Sequence, residues 1–561
     1  MRVVFLVGGD TASTRATIDA VCRLPGVEPV GVLKDTARPT IARRLRNLKR
    51  NLRREGWSYV VHRGLAAARE FTDALVDRVI VSAEDVHVLL REAFPERGFS
   101  LEDLGRKHRF AIHAAGNLNE AEAIGILRSL QADLGIVLGT RILKPAIFTV
   151  PRLGCINLHK GRVPDYRGMP PGFWELYDSV KEAGVTVHFV DAGLDTGDVV
   201  IVSKVAILPT DTPDSLLEKL HTEGTRAMTQ AVAAIEAGTA VRQPQPKGTG
   251  KAHTKPTRRE VRELQKKLPH WRVPGTAYTL FKNLYCLAAY YLGPYFLLRS
   301  LRRLSRSRGA VIVYHRVNDY SKDVLTVDTE TFAAQLLALK KRYRRISTRE
   351  LVANLHKNKA APPTSIAIHF DDCYQDIYTN GAPILAAAGF PATAFINSGF
   401  IDTARVFDHD AAKYPFKYAN LRSDDIREWV RQGFEVGAHS VNHLDLDTRA
   451  MEDAKREISD CGAALEKLTG KPVSYFSVPF GVKRIRDELV EHIRETGFEA
   501  LFSANGGFVG PKTDPFDIPR LGSSGQMKPL YLLLEIEGIA PHHVVPKRKR
   551  KLSQARRFRR R

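Results

Sequence analysis

The 561-residue chain is poor in cysteine: its five, at positions 22, 155, 286, 373 and 461, stand far apart in the sequence. That spacing excludes a disulfide framework and suits a reducing compartment. The opening residues Met1–Gly9, MRVVFLVGG, lack the pattern of a secretory signal and read as a buried strand, so a cytoplasmic location is expected. Gly8-Gly9 is not followed by a full glycine-rich fingerprint, so a dinucleotide site is not indicated. No internal repeat is present. Its longest aromatic and aliphatic stretch, Thr276 to Leu298, is interrupted by Lys282, Asn283 and Pro294.

Acidic residues are scarce in two places. Residues 251–310 hold 14 Lys or Arg against two acids, and residues 541–561 hold ten Lys or Arg and no acid. These segments carry +12 and +10 of the formal +23, leaving the remainder at +1. The globular parts therefore need no polyanionic partner, and nucleic acid is not the expected one. The tail reads as a solvated disordered segment able to touch anionic lipid or RNA.

The length predicts more than one domain. The expected division is 1–250, a basic aromatic-rich linker at 251–309, a second domain at 310–540, and the tail at 541–561. The linker reads as a helix at a membrane interface, with five arginines in Arg299–Arg308 outside its aromatics. A helix buried between domains and a spanning helix are the weaker readings. Ile41, Leu45, Leu48 and Leu52 among basic neighbours form a second amphipathic stretch, read as a solvated surface helix.

In the first domain, apolar runs at Met1–Gly9, Val27–Leu33 and Leu134–Leu138 alternate with helical patterns, which argues a parallel sheet covered on both faces. Cys155-Ile156-Asn157-Leu158-His159 is another strand, and its period places Asn157 and His159 on one face. Gly184–Val190 is a further strand, and the turn after it carries Asp195 between glycines. An amide, an imidazole and a carboxylate could meet there to stabilise an oxyanion and move protons.

In the second domain, the apolar run Ser365–Phe370 ends in Asp371-Asp372. A turn there can present both carboxylates to one cleft. His439 and His443 are spaced about a helical turn apart, so their rings can face one point. A carboxylate and two imidazoles make a three-ligand divalent-metal site with a position left open, and the second carboxylate stays free as a base. That is the outline of a metal-dependent hydrolase.

Both halves resemble known families. Asn157-Leu158-His159-Lys160-Gly161-Arg162-Val163-Pro164-Asp165-Tyr166-Arg167-Gly168 and Gly193-Leu194-Asp195-Thr196-Gly197-Asp198 resemble the motifs of the formyltetrahydrofolate-dependent formyltransferases. The resemblance implies a Rossmann-like sheet and attack of an amine on the formyl group of 10-formyltetrahydrofolate. It makes Asn157 and His159 oxyanion stabilisers, has Asp195 orient His159 and help remove the amine proton, and places Gly135, Leu138, Gly139 and Pro145 beside the pterin. Ile368–Cys373, Gly437–His443, Tyr314–Val317 and Phe476–Gly481 resemble the polysaccharide deacetylases, the NodB-homology group. That resemblance implies a (β/α) barrel-type domain, Asp371 as catalytic base, and Asp372, His439 and His443 holding zinc or a similar ion. Two departures stand out: Ser477 replaces a frequent arginine, and Leu501–Gly525 lacks the late histidine that serves as acid. Arg520 and His315 are the candidate substitutes.

Together these features predict an α/β enzyme acting on an amino-sugar or lipid-linked glycan substrate. One half would remove an acyl group from nitrogen and the other would add formyl. A catalytically impaired glycan-binding second half and a methionyl-tRNA-type formyltransferase are the alternatives.

Overall fold

The computed structural model describes residues 1–37, 41–246, 250–271, 275–304, 309–321, 323–357, 364–411, 418–481, 485–523, 525 and 527–539. The basic tail lies outside the described residues. The chain forms two compact units, residues 1–61 with 94–273, and 62–93 with the chain from 274 onward apart from 413–415.

The first unit is built on a seven-stranded sheet. In chain order its strands are β1 (Arg2–Val7), β2 (Glu28–Asp35), β3 (Ala111–Ala115), β4 (Leu134–Leu138), β5 (Cys155–His159), β6 (Glu182–Phe189) and β7 (Val199–Ala206). They lie in the order β3-β2-β1-β4-β5-β6-β7. The first five are parallel, and β6 and β7 add antiparallel. Strand β1 shows why such a sheet has near-continuous apolar runs. Val3, Phe5 and Val7 enter the core on one face and Val4 and Leu6 the core on the other, so both faces are covered.

Helix α1 (Ala12–Cys22) follows β1 and starts on a Thr11 cap. Helix α2 (Ile41–Glu55) leaves Leu45 and Leu48 exposed. Helix α3 (Trp57–Arg78) follows it. Helix α4 (Pro213–Glu236) opens with a reciprocal Thr212–Ser215 capping box and buries Leu216, Leu220, Ala227 and Met228 on the first core.

The second unit is a parallel barrel-type sheet. Its strands are β8 (Ala310–Tyr314), β9 (Ser365–Phe370), β10 (Ala392–Ile396), β11 (Glu435–Ala438), β12 (Tyr475–Ser477), β13 (Ala500–Phe502) and β14 (Leu521–Gly522). They run β13-β12-β11-β10-β9-β8-β14, with Arg344–Arg345 pairing on β9 as well. A bridge from Ile518 to Phe502 returns the last strand's approach to the first strand. Val311, Ala367, Phe395, Tyr475, Ala500 and Phe502 share one core cluster, as side chains from successive strands fill a barrel interior.

The units differ from the sequence-based boundaries in three places, the first being that residues 62–93 belong to the second unit. Residues 251–271 belong to the first unit, because Lys251–His253 pairs with Tyr166–Gly168 and Trp271 packs on Phe173. The expected linker instead forms helices α5 (Thr276–Tyr291) and α6 (Pro294–Leu304) within the second unit. Asn283 is fully buried there, donating to Thr72 Oγ1 and Asp73 Oδ1 at 3.0 Å each and accepting from the hydroxyl of Tyr531 on α7 (Pro529–Ile536). No described helix is long and apolar enough to cross a membrane.

Candidate active sites

In the second unit the two carboxylates follow β9 directly, and Asp372 takes a left-handed backbone (φ 73°). This turn breaks the alternation of the strand, so neighbouring carboxylates serve one cleft. Asp371 accepts from both ends of the Arg520 guanidinium, Oδ1 from Nη1 and Oδ2 from Nη2, each at 2.7 Å. Arg520 also donates to Ser477 Oγ at 2.7 Å and to the Ser503 carbonyl at 3.1 Å. Both members of the pair are buried. Burial alone would raise the Asp371 carboxyl, but Arg520 and the nearby His439 outweigh it and hold the carboxyl below the usual range. The candidate replacement for the family arginine thus reaches Asp371, and Ser477 becomes its partner.

The two histidines sit in the loop after β11, not on a helix as their spacing suggested. Ser440 (φ 64°) and His443 (φ 54°) are both left-handed, and such strain in non-glycine residues collects at functional sites. The His443 amide donates to Ser440 Oγ at 3.0 Å, which pins the turn. His439 Nδ1 lies 2.8 Å from the Ser477 carbonyl. That nitrogen therefore carries the proton, and the Nε2 lone pair is left for the cleft. His439 Nε2 and His443 Nε2 stand 3.6 and 3.2 Å from the same oxygen, Asp372 Oδ1.

The donor atoms of Asp372, His439 and His443 all lie within 4.8 Å of one another. His443 and the other nearby imidazoles overcome burial and hold the Asp372 carboxyl far below its usual range, while burial pushes His439 down to about 4. An ionised carboxylate and a neutral His439 imidazole are protonation states that a divalent cation requires, so the residues fit such an ion.

Sequence reasoning missed three neighbours. His409 Nε2 lies 3.9 Å from Asp372 Oδ2 and 3.0 Å from the Tyr374 hydroxyl. Tyr374 gives its single proton to Asp410 Oδ2 at 2.6 Å, so His409 Nε2 must donate to it and is not a ready ligand. Phe480, half exposed and left-handed (φ 62°), places its ring 4.5 Å from that of His443. Asp376 accepts from the Val317 amide and from Asn318 Nδ2, a buried brace behind the Tyr314–Val317 segment. His315 in that segment has a buried Nδ1 without a hydrogen-bond partner among the described residues and acts electrostatically on both Asp371 and Asp372.

In the first unit the three predicted residues meet. Asn157 and His159 share one face of β5, and Asp195 (φ 53°) sits in the turn after β6. Asp195 Oδ2 is 3.4 Å from His159 Nδ1, and Oδ1 accepts from Asn157 Nδ2 at 3.4 Å. Gln245 Nε2 clamps the turn by donating to the Asp195 and Gly197 carbonyls at 3.1 and 2.7 Å. Burial pushes Asp195 up, but His188 and His159 more than offset this and keep it below the usual range. Burial pushes His159 below its usual range against the opposing pull of Asp195.

The missed residue here is His188, which pairs with Asn157 in the β5–β6 register. Its Nδ1 faces the Phe189 carbonyl at 2.8 Å, so Nε2 accepts from Asn157 Nδ2 at 3.2 Å and fixes the amide's orientation. A histidine opposite the strand motif was the available signal. His159 Nε2 lies 2.7 Å from the Tyr166 carbonyl. Its N–H is committed there, leaving Nδ1 and the Asp195 carboxylate as two facing proton acceptors. Of the predicted cofactor residues, Leu138 ends β4, Gly139 (φ 64°) follows with open space at its Cβ position, and Pro145 opens the next short helix. Gly135 lies toward the other end of β4, packed on Cys155 within the sheet. The carboxyl-end edge of a parallel sheet is where ligands bind, and Leu138 and Gly139 lie on that edge.

The family model for formyl transferase matches residues 1–232, and that for polysaccharide deacetylase matches residues 358–501. The chain joins a formyl transferase domain to a polysaccharide deacetylase domain, and both are enzyme domains. The methionyl-tRNA formyltransferase of Pelotomaculum thermopropionicum is 30% identical over 184 residues, covering 31% of this chain and 59% of that protein. The methionyl-tRNA formyltransferase of Methylacidiphilum infernorum is 36% identical over 140 residues, covering 25% and 44%. The chain thus spans between 44% and 59% of the length of these relatives. Among solved structures, the Streptococcus pyogenes deacetylase PplD in complex with acetate aligns with TM-score 0.36 and 22% identity, covering 41% of this chain and 98% of that one. Phosphoribosylglycinamide formyltransferase from Bacillus halodurans aligns with TM-score 0.28 and 18% identity, covering 42% and 95%.

Proposed function

We propose that the chain is a bifunctional enzyme that removes an acyl group from an amino-sugar nitrogen of a cell-envelope glycan and formylates the amine so exposed. The observation that carries this reading is the presence, in one chain, of two constellations for opposite acyl chemistry on nitrogen. In the second unit Asp371, kept ionised by Arg520, takes the proton of the attacking water. Water oxygen adds to the amide carbon, the C–N bond breaks, and His315 protonates the departing amine. A divalent ion, zinc being the first choice, held by Asp372, His439 and His443 would supply Lewis-acid polarisation of the carbonyl. Phe480 at the rim offers a sugar ring an apolar face.

In the first unit the amine attacks the formyl carbon of 10-formyltetrahydrofolate, and the bond from that carbon to the folate nitrogen breaks. The amine proton goes to the Asp195–His159 pair, where Oδ2 and Nδ1 can share it, and is passed on to the departing folate nitrogen. Asn157, oriented by His188, would turn the N–H it now gives to Asp195 toward the developing oxyanion. A cytosolic donor makes the cytoplasm, including the inner face of its membrane, the place of reaction.

The test is mass spectrometry of N-acetylated sugar nucleotides and lipid-linked sugars incubated with the full chain, a divalent metal and 10-formyltetrahydrofolate. Loss of acetyl followed by gain of formyl supports the sequential reading. Formyl gain on ready-made amines alone overturns it and favours a glycan-binding second unit. A second reading, formylation of methionyl-tRNA, is favoured by the names of the relatives; salt-sensitive binding and formylation of charged initiator tRNA would establish it.

A further inference from the structure

The helices α5 and α6 are inverted relative to an ordinary surface. Lys282, Asn283 and Arg299 turn inward. Asn283 is fully buried, and Lys282 Nζ lies 3.9 Å over the Tyr531 ring. Arg299 is buried, donating to the Tyr295 hydroxyl at 3.0 Å and to the Arg342 carbonyl. The outward positions are largely apolar: Phe281 is 54% exposed, Leu284 51%, Tyr291 65%, Leu292 80%, Phe296 50% and Leu297 62%. No exposed residue between 276 and 301 carries a charge. Soluble surfaces rarely leave so large an apolar stripe open, so this face has an occupant.

Charge identifies it. No aspartate or glutamate occurs from Leu264 to Asn318, while Arg302, Arg303, Arg306 and Arg308 follow the exposed stripe in sequence. A protein partner would be matched by any apolar face, but an acid-free apolar stripe followed by arginines matches anionic headgroups above acyl chains. The two helices, of 16 and 11 residues, are too short to span.

We infer that α5 and α6 form an in-plane docking surface for an anionic lipid bilayer, with Phe281, Leu284, Leu292 and Leu297 inserted below the headgroups. This goes beyond the proposed reactions and holds whatever the sugar is.

Co-sedimentation of the full chain with vesicles of phosphatidylcholine alone, or with roughly a third phosphatidylglycerol, tests it. Binding to the anionic vesicles is expected, weakening as salt rises. The double variant Leu284→Glu with Leu297→Glu should bind them at least tenfold more weakly. Both positions are exposed, so its melting temperature and bound metal should match the parent's. In a second measurement Leu292→Trp is read as the difference emission spectrum against the parent, and a blue shift is expected only with anionic vesicles. Equal sedimentation of parent and double variant would overturn the inference and place binding on the tail or α2. A parent that ignores vesicles but dimerises through this face, with a monomeric double variant, would overturn it as well.

Discussion

Replacing Arg520 with methionine tests the hydrolytic assignment most sharply, because it changes the base without touching a metal ligand. The guanidinium makes two 2.7 Å bonds to Asp371 and is itself fully shielded from solvent. Removing one partner of a buried pair costs about 3–5 kcal/mol, since the other charge is left uncompensated. At about 1.4 kcal/mol per pKa unit, the same energy corresponds to an upward displacement of roughly two to four units. The Asp371 carboxyl is now held below the usual carboxylate range, so in the variant it rises toward the assay range. The expected result is an acid limb of the kcat/KM–pH profile displaced upward by about two units, with activity at pH 6 reduced and partly restored at higher pH. Bound metal should stay at the parent's stoichiometry. Release of primary amine from N-acetylated glucosamine oligomers, followed with an amine-reactive fluorophore from pH 5 to 9, measures it. Arg520→Lys, which keeps the charge but loses the fork, should fall between the two. An unmoved limb in a folded, metal-loaded variant would refute the assignment of Asp371 as the base held by Arg520.

Asp195→Asn should abolish formyl transfer while hydrolysis continues; loss of both activities would mean that the two units do not act independently. His188→Ala should release the Asn157 amide and lower kcat for formyl transfer roughly tenfold or more with little change in KM, which steady-state kinetics would detect. Asp371→Asn should retain bound metal and stop hydrolysis, whereas His439→Ala should lose both, as metal analysis after dialysis would reveal. Chelation that leaves hydrolysis untouched would sink the metal mechanism. In metal-free protein, His439 stays neutral down to about 4 against 6.5 in the unfolded chain. Because the unfolded state binds the proton first, stability is complete above pH 6.5 and falls as pH drops toward 4, by up to about 3 kcal/mol. His439→Gln should flatten that slope in urea melts of the chelated protein.

The architecture was legible where a local pattern carries it. Val3–Val7 had to be a two-faced strand, and Asp371-Asp372 after an apolar run had to be a strand end. What escaped was whatever depends on distant segments meeting. Asn283 reads as a polar interruption of an apolar helix, and only the approach of Thr72 and Tyr531 turns it into a buried anchor. Residues 62–93 read as part of the first domain, because nothing in their own sequence names the helices they pack on. The His439–His443 spacing was right for a shared ligand point but for another reason than a helix. Two left-handed residues, Ser440 and His443, bend the loop so that the rings converge, and no periodicity encodes that. His409 lies far in sequence from Asp372 and His439, and His188 from Asn157, which it orients.

The two sites also show why residue type alone does not define chemistry. Each gathers two histidines around one aspartate. In the second unit His439 and His443 address a single oxygen, Asp372 Oδ1, so three donors point at one small volume and a cation can satisfy all of them. In the first unit His159 approaches Asp195 Oδ2 while His188 approaches Oδ1, at 3.4 and 3.6 Å. These donors flank the carboxylate from two sides, and Asn157 Nδ2 already fills the gap toward His188. Among the described residues no metal-ligand cluster forms there. A carboxylate approached from two sides is instead suited to receive a proton on one oxygen while the other stays hydrogen-bonded. That division of labour is what formyl transfer to an amine requires.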